Sequence, residues 1–455
     1  MRDALKAEIA SLRELEADVV VVGAGPGGLA AALEAARAGA SVVVVDAAPA
    51  AGGQVWRARR GVPAGEAGRM LQALEDAGGW LMSGTRVALP LPGRLLLVEG
   101  PEGGRRLRWR RLVLATGARE RLLPFPGWTL PGVFGAGGLQ ALAKGGWPVA
   151  GRRVVVAGTG PLLVASAATL RAEGAQVVAL VEEAATAALR GFAGALLRHP
   201  RKGLQALGLG ARLAGVPILA GARVIAAEGD GRVERVSVRD ARGTRSIACD
   251  ALAAGWGLVP QVELAEALGC ALEPRFGAPA IAVGADQSTT VPGVFAVGEC
   301  TGVAGARAAL LAGRIAGRSA ARPGEGTDAT GAWVKGLARE RRFAVAVAHT
   351  FPVPTGWRER LAGDTLVCRC EDVRWDDLRD QPDLRSAKLS TRCGMGHCQG
   401  RLCHDALAQM MGVDRLPVRP PAQPIGLGAL LAIGSDGGAG TVSNLVPAAP
   451  EESSR

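Results

Sequence analysis

Four β-branched residues, Val19 to Val22, run without a polar break into a glycine turn. An Ala/Leu-rich stretch follows from about Pro26 to Ala38, Gly39 ends it, and a second apolar run, Ser41 to Val45, finishes on Asp46. An unbroken apolar run is the pattern of a strand covered on both faces, and the Ala/Leu stretch has helical spacing, so the segment predicts strand–helix–strand feeding a parallel sheet. The same order returns over Arg152 to Glu183, with Glu182 standing where Asp46 stood, and this is the one internal repeat. Between the copies, Arg111 to Trp128 reads as an apolar strand, a Thr116–Gly117 turn and a proline-rich crossover. Downstream, Thr289 to Gly317 reads as strand, Gly298–Glu299 turn and small-residue helix.

The first turn carries chemistry. Gly23, Gly25 and Gly28 follow a strand, open a helix, and are followed by an acid 18 residues after the last glycine. Gly23 permits the tight turn, Gly25 lets the backbone approach a pyrophosphate, and Gly28 lets helix and strand pack closely. The helix N-terminus offers N–H donors to the phosphates, and Asp46 can accept the hydroxyls of an adenosine ribose. Companion segments favour FAD over nicotinamide here: Gly52–Gly53–Gln54, Ala115–Thr116–Gly117, and the turn at Gly298 and Glu299. The second turn keeps Gly158 and Gly160, but Leu163 replaces the third glycine and is expected to push the helix away from the strand. Glu182 still suits an unphosphorylated ribose, so a second adenine nucleotide, ATP or NAD, is the expectation there, with a working NAD(P)H site disfavoured.

Composition bounds the rest. The chain has 455 residues, 48% hydrophobic and 21% charged, the balance of a soluble globular protein of about three units. The formal charge of +11 raises nucleic acid as a partner. The arginines are scattered apart from Gly103 to Arg111, which leads into an apolar strand with no aromatic platform, so that run is expected to be a solvated strand or a subunit contact, and no nucleic acid is expected. Residues 1–16, charged throughout, read as a short surface helix rather than a signal peptide, and no run is long enough to span a bilayer. A cytoplasmic protein is expected, with a peripheral contact at the inner membrane left open.

Five of the eight cysteines lie between Cys368 and Cys403. In a reducing compartment such crowding points to metal rather than disulfides. Cys368-x-Cys370 is followed after a gap by Cys398-x4-Cys403, with Cys393 extra. Zinc knuckles usually space their cysteines by two to four residues, whereas C-x-C suits two ligands gripping a larger cluster. Arg369, Arg374, Arg392 and Arg401 beside the thiolates would offset the negative charge of a [2Fe–2S] centre. Spacing cannot choose between Cys393 and Cys398, which repeat the same interval. Cys249, Cys270 and Cys300 are isolated and read as small buried apolar residues, so thiol–disulfide chemistry is not expected. Neither His199 nor His349 has a recognisable catalytic neighbour, and no catalytic residue is assigned.

Residues 17–320 resemble the flavoproteins with two dinucleotide-binding domains, the thioredoxin-reductase and ferredoxin-reductase relatives. The resemblance implies an α/β chain with two Rossmann-like domains plus a small C-terminal [2Fe–2S] domain. In that family the late turn carries Asp and holds flavin, whereas here it carries Glu299. The stretch "TRCGMGHCQGRLC" resembles a bacterioferritin-associated-ferredoxin-like domain, which implies Cys368, Cys370, Cys398 and Cys403 as ligands and leaves Cys393 and His397 as bystanders. With "GTGPLLVA" and "PVRPPAQPIGLGAL", the whole order of motifs resembles the A-type (α) subunits of heteromeric dye-linked dehydrogenases, a group that takes in opine oxidase, hydroxyproline or proline dehydrogenase and the B-type chain of hydrogen cyanide synthase. It implies that the partner is a D-amino-acid-oxidase-like FAD subunit, joined by a small additional subunit and an interfacial FMN, with a quinone or other acceptor downstream. The alternatives are a stand-alone NAD(P)H-dependent FAD/[2Fe–2S] reductase and a zinc-stabilised assembly subunit. The expected boundaries are 17–118 and 285–320 for the FAD domain, 119–284 for the second unit, 321–363 for a linker and helix, 364–415 for the cysteine module, and 416–455 for an extended tail, mobile at its end.

Overall fold

The computed structural model describes residues 14–57, 62–324, 331–418, 420–421, 424–433 and 439–441. Two sheets carry the nucleotide-type units, the first mixed and the second wholly parallel. In the first, β1 (Glu14–Val22), α1 (Pro26–Arg37) and β2 (Val42–Val45) form the strand–helix–strand that the apolar runs predict. Helix α2 (Gly65–Asp76) and β3 (Trp80–Met82) follow, then a meander of β4 (Arg86–Leu91), β5 (Leu95–Gly100) and β6 (Gly103–Leu114). The sheet order is β3-β2-β1-β6-β5-β4, with β1 lying parallel to both β2 and β6.

The arginine run is therefore an inner strand and not a solvated one. Along β6, Arg105, Leu107 and Trp109 are buried, while Arg106 and Arg108 both reach the carboxylate of Glu14 at 2.9 Å, and Arg110 lies 3.2 Å from Asp18. Those acids sit on β1, so cross-strand charge pairing compensates the guanidinium groups. The same pairing ends the surface helix expected over residues 1–16. Glu14 to Glu16 are already strand, with Leu15 fully buried, and the remainder of that helix lies outside the described residues.

After β6 comes β7 (Ala118–Glu120), then β8 (Val133–Gly135) and α3 (Ala136–Lys144). The second copy is β9 (Arg153–Thr159), α4 (Pro161–Ala172) and β10 (Gln176–Glu182). A hairpin of α5 (Thr186–Arg198) and α6 (Pro200–Arg212) precedes β11 (Ile218–Ala220) and a three-stranded meander, β12 (Arg223–Glu228), β13 (Arg235–Asp240) and β14 (Gly243–Ala248). With β15 (Ala251–Trp256), the second sheet runs β11-β10-β9-β15-β8. Strand β16 (Leu258–Pro260) pairs back on β7, and the short α7 (Glu263–Ala267) and the hairpin β17 (Leu272–Arg275) and β18 (Ala278–Ile281) lead to β19 (Val294–Ala296). Strand β19 rejoins the first sheet beside β6, and α8 (Ala306–Ala321) packs on α1. Close packing there needs glycine, because a methyl on Gly313 would lie 2.2 Å from the Gly27 carbonyl.

Helix α9 (Gly331–Thr350) bridges to the cysteine module, built from β20 (Leu366–Cys368), β21 (Val373–Arg374), α10 (Leu384–Thr391) and α11 (His404–Met411). The module shares its core with the second unit: Trp357 donates to the Pro124 carbonyl, Trp128 to the Leu366 carbonyl, and Trp357 meets Trp256 edge to face at 4.8 Å. The tail is not merely extended. Helix α12 (Leu427–Leu430) packs on Gly104 of β6, the Gly426 N–H donates to Glu99, and β22 (Ala439–Thr441) pairs in parallel with Glu14–Glu16. The last fourteen residues lie outside the described residues.

Candidate functional site

At the carboxyl edge of the first sheet, hydrogen bonds gather the segments that the sequence singled out. Gly23 N donates to Val45 O, Gly52 N to Ala24 O, and Val297 N to Leu114 O. Gly23, Gly25, Gly28, Asp46, Gly52–Gly53 and Gly298–Glu299 thus meet at this edge, with Ala115 against Gly23. The space is cut for backbone: a methyl on Gly28 would lie 1.8 Å from Gly23 O, and one on Gly53 2.9 Å from the Gly25 Cα. Helix α1 begins at Gly25 and α8 at Gly305, and neither has a side-chain cap, so both N-termini keep N–H groups for an anion. Asp46 accepts from Ala24 N at 2.5 Å and Ala48 N at 2.7 Å, which fixes its carboxylate at the strand end. Gln54 is exposed at the rim and accepts from Arg57. Thr116 and Gln261 clasp each other reciprocally at 2.7 Å, and Gly117 is left at positive φ with open space beside it. Burial pushes the Glu299 carboxyl up in pKa. A pyrophosphate and ribose cradle is what these residues fit.

The second unit has a different turn. Gly160 sits at φ 107, where Gly25 sits at −76, and Leu163 turns into the core with Val154 and Val156. Glu182 is 5% exposed, and its oxygens are taken by Thr159 Oγ1 (2.6 Å), Gly160 N (2.9 Å) and Ala184 N (2.8 Å). Phe351, just past α9, lies 3.8 Å from where a Gly160 Cβ would stand. Glu120 sits across this edge, accepting from Gly137 N and Gly138 N at the start of α3. Burial raises its carboxyl from the usual 4.5 to about 7. A carboxylate placed there disfavours a second polyphosphate.

In the C-terminal module the sulfurs of Cys368, Cys393 and Cys403 lie within 4.8 Å of one another and are buried, with Cys393 and Cys403 3.9 Å apart. Cys370 is exposed and Cys398 half-buried, and these two interact. Cys393 and Cys403 hold the Cys368 thiol well below its usual range and are themselves pushed up. The structure thus groups Cys368 and Cys403, two of the expected ligands, with Cys393, expected as a bystander, and leaves Cys370 and Cys398 as a second, more exposed pair. The donor set and the glycines of the loop fit a cluster: a methyl on Gly396 would lie 2.3 Å from the Cys370 Cβ, and one on Gly400 2.4 Å from His404. His404 is desolvated, which lowers its pKa, and its Nε2 is buried without a hydrogen-bond partner.

Cys270 and Cys300 are buried in one core and Cys249 in another, and burial raises Cys300, beside the Gly298 turn, to about 11. Residues 17–321 match the family model "Pyridine nucleotide-disulphide oxidoreductase". The chain belongs to that oxidoreductase family. Among its relatives, hydrogen cyanide synthase subunit HcnB of Pseudomonas aeruginosa is 34% identical, over 92% of this chain and 99% of that one. The A-type chain of the opine oxidase of Agrobacterium tumefaciens is 32% identical, over 89% of this chain and 87% of that one. The crystal structure of L-proline dehydrogenase from P. horikoshii shares the fold at a TM-score of 0.64, with 20% identity over 92% of this chain and 80% of that one. The pyridine nucleotide-disulphide oxidoreductase fold, a flavin-dependent one, supports FAD as the nucleotide of the first unit, and the cysteine cluster is compatible with an iron–sulfur centre. No helix among the described residues is long and apolar enough to cross a membrane.

Sequence reasoning missed Glu120, Arg119 and His404, which are placed by contacts distant in sequence.

Proposed function

We propose that this chain is the FAD- and [2Fe–2S]-carrying electron-transfer subunit of a heteromeric dehydrogenase that oxidises a C–N bond of an amino acid, imino acid or opine. The observation that carries it is the meeting of the Cys368, Cys393 and Cys403 thiols in a module whose loop is hydrogen-bonded to the strand leaving the flavin turn. The names of the full-length relatives, each one component of a larger enzyme, supply the substrate class. FAD would be held by Gly23, Gly25, Gly28, Gly53, Gln54, Thr116, Gly117, Gly298 and Glu299, with Asp46 on its ribose. Cys368 and Cys403 on the buried side, and Cys370 and Cys398 on the open side, would hold the cluster. FAD moves electrons in pairs and an iron–sulfur centre moves them singly, so the chain joins two-electron oxidation to one-electron carriers. Its own residues position these groups.

The substrate carbon is oxidised on a partner, a D-amino-acid-oxidase-like FAD subunit, with a small third subunit and an interfacial FMN completing the complex. A quinone or similar acceptor, met at the inner membrane surface, drains it. A second adenine nucleotide, ATP or NAD, would enter the second unit only if Glu182 released the Gly160 N–H that it holds at 2.9 Å. Co-purification from the native host tests the proposal. Iron, labile sulfide and FAD are expected in this chain, and dye reduction with an amine substrate is expected only when the partner is present. Rapid flavin bleaching by NADH in the isolated chain would favour the stand-alone reductase instead, and zinc without iron would favour the assembly role.

A further inference from the structure

The flavin turn and the cysteine loop are distant in sequence, yet one short strand touches both. β7 begins immediately after Gly117, whose turn is locked by Thr116 and Gln261. Strand alternation sends the side chains of Arg119 and Arg121 the same way and that of Glu120 the other. Arg119 Nε donates to the Arg401 carbonyl at 2.9 Å, and Arg119 Nη1 to Glu263 Oε1 at 2.6 Å. Arg401 lies between Cys398 and Cys403, and its own Nε donates to the Cys398 carbonyl at 3.0 Å. Two residues beyond Cys403, Asp405 accepts from Arg121 at 2.8 Å. The segment carrying two of the proposed ligands is therefore held at two points, Arg401 and Asp405, from the chain that leaves the flavin turn. Both grips are nearly dry: the Arg119 side chain is 19% exposed and Glu263 12%, Arg121 6% and Asp405 17%. A low-dielectric setting keeps such hydrogen bonds directional and lets nearby charge act strongly on a redox centre.

We propose that Arg119 is a positioning residue for electron transfer: with Glu263 it fixes the cysteine loop against the flavin turn and balances the charge that the cluster feels. This rests on the function proposed above. A bound flavin and a bound cluster would exchange electrons one at a time, with the protons of the reduced flavin leaving to solvent, so separation and relative potential are what the protein can set. The geometry suits arginine, because one planar fork reaches a carbonyl and a carboxylate together, which a lysine ammonium cannot reproduce. The charges oppose each other. Without the guanidinium, Glu263 would leave the surroundings of the cluster more negative and lower its potential. Without the carboxylate, Arg119 would raise it.

The test uses the full chain loaded with FAD and iron and compares Arg119→Gln, Arg119→Lys, Glu263→Gln and the Arg119→Gln/Glu263→Gln pair. Iron, sulfide and FAD are assayed first, then the midpoint potential by EPR-monitored titration, then the rate of cluster reduction after photoreduction of the flavin. Arg119→Gln is expected to lower the potential, Glu263→Gln to raise it, and the pair to return it close to the parent. Arg119→Lys is expected to keep the potential and slow cluster reduction about tenfold or more through lost alignment. Opposite shifts that cancel in the pair are not produced by a merely structural contact. Loaded variants with the parent's potential and rate, or shifts of one sign in both single variants, overturn the proposal. Should Arg119→Gln fail to fold, Glu263→Gln decides by the sign of its shift. A parent chain that binds neither iron nor FAD sinks the proposed function and this inference with it; a loaded parent with unaltered variants sinks the inference alone.

Discussion

Glu120→Gln is a perturbation whose size can be worked from the structure. Burial raises the Glu120 carboxyl from 4.5 to about 7, while the N–H groups of Gly137 and Gly138 pull the other way without cancelling it. Between those values the native chain keeps a proton that the unfolded chain has lost. A raised acid therefore contributes stability that is greatest below 4.5, falls as pH rises through the window, and levels off above 7. At 1.36 kcal/mol per unit the full loss is about 3 kcal/mol, an upper figure because the side chain keeps some exposure. Gln keeps the shape and an acceptor for the two N–H groups but carries no titrating proton. Urea unfolding of parent and variant from pH 5 to pH 8 reads the difference directly, since other titrating groups are common to both. The gap is expected to be smallest at pH 5 and to grow to as much as about 3 kcal/mol in favour of the variant at pH 8. A gap independent of pH, or a variant less stable at pH 8, would refute the burial argument.

Gly28→Ala places a methyl 1.8 Å from the Gly23 carbonyl, so the purified variant is expected to lose bound FAD, read from its visible spectrum. Cys368→Ser and Cys403→Ser are expected to lose iron and labile sulfide, whereas Cys393→Ala should keep both; iron loss in Cys393→Ala would make that residue a ligand. Arg360→Ala strands Glu183, which lies 3.0 Å from Arg360 and is 8% exposed, and burial already pushes that carboxyl up. Leaving this charge unpaired should cost about 3–5 kcal/mol in urea unfolding, with Glu183→Gln on the same background recovering part of it.

Local pattern revealed both strand–helix–strand units because the chemistry of each turn is written in consecutive residues: Gly23, Gly25 and Gly28 serve a single loop. It misjudged the arginine run because Arg106, Arg108 and Arg110 look like a surface when their partners, Glu14, Glu16 and Asp18, are about ninety residues away. The last turn of the helix expected over residues 1–16 is strand for the same reason, Glu14 to Glu16 pairing with β6. The four proposed ligands were suggested by a resemblance, and the meeting of Cys368, Cys393 and Cys403 needs the fold of the module. Leu163 was expected to force helix from strand, yet a changed φ at Gly160 lets it enter the core instead. Glu120 looked ordinary, since nothing in its neighbours along the chain says that α3 will begin against it.

The packing of Ala429 on Gly104 bears on how the polypeptide is made. A methyl at Gly104 would sit 2.4 Å from the Ala429 Cα, so the N-terminal sheet is shaped to receive a segment translated more than three hundred residues later. Until that segment emerges from the ribosome, the outer strands of the sheet stay uncovered, and long-range closure of this kind is slow. Nascent chains stalled before Gly426 should therefore be cleaved by protease within the first hundred residues, even though every residue of that sheet's strands up to β6 has been synthesised.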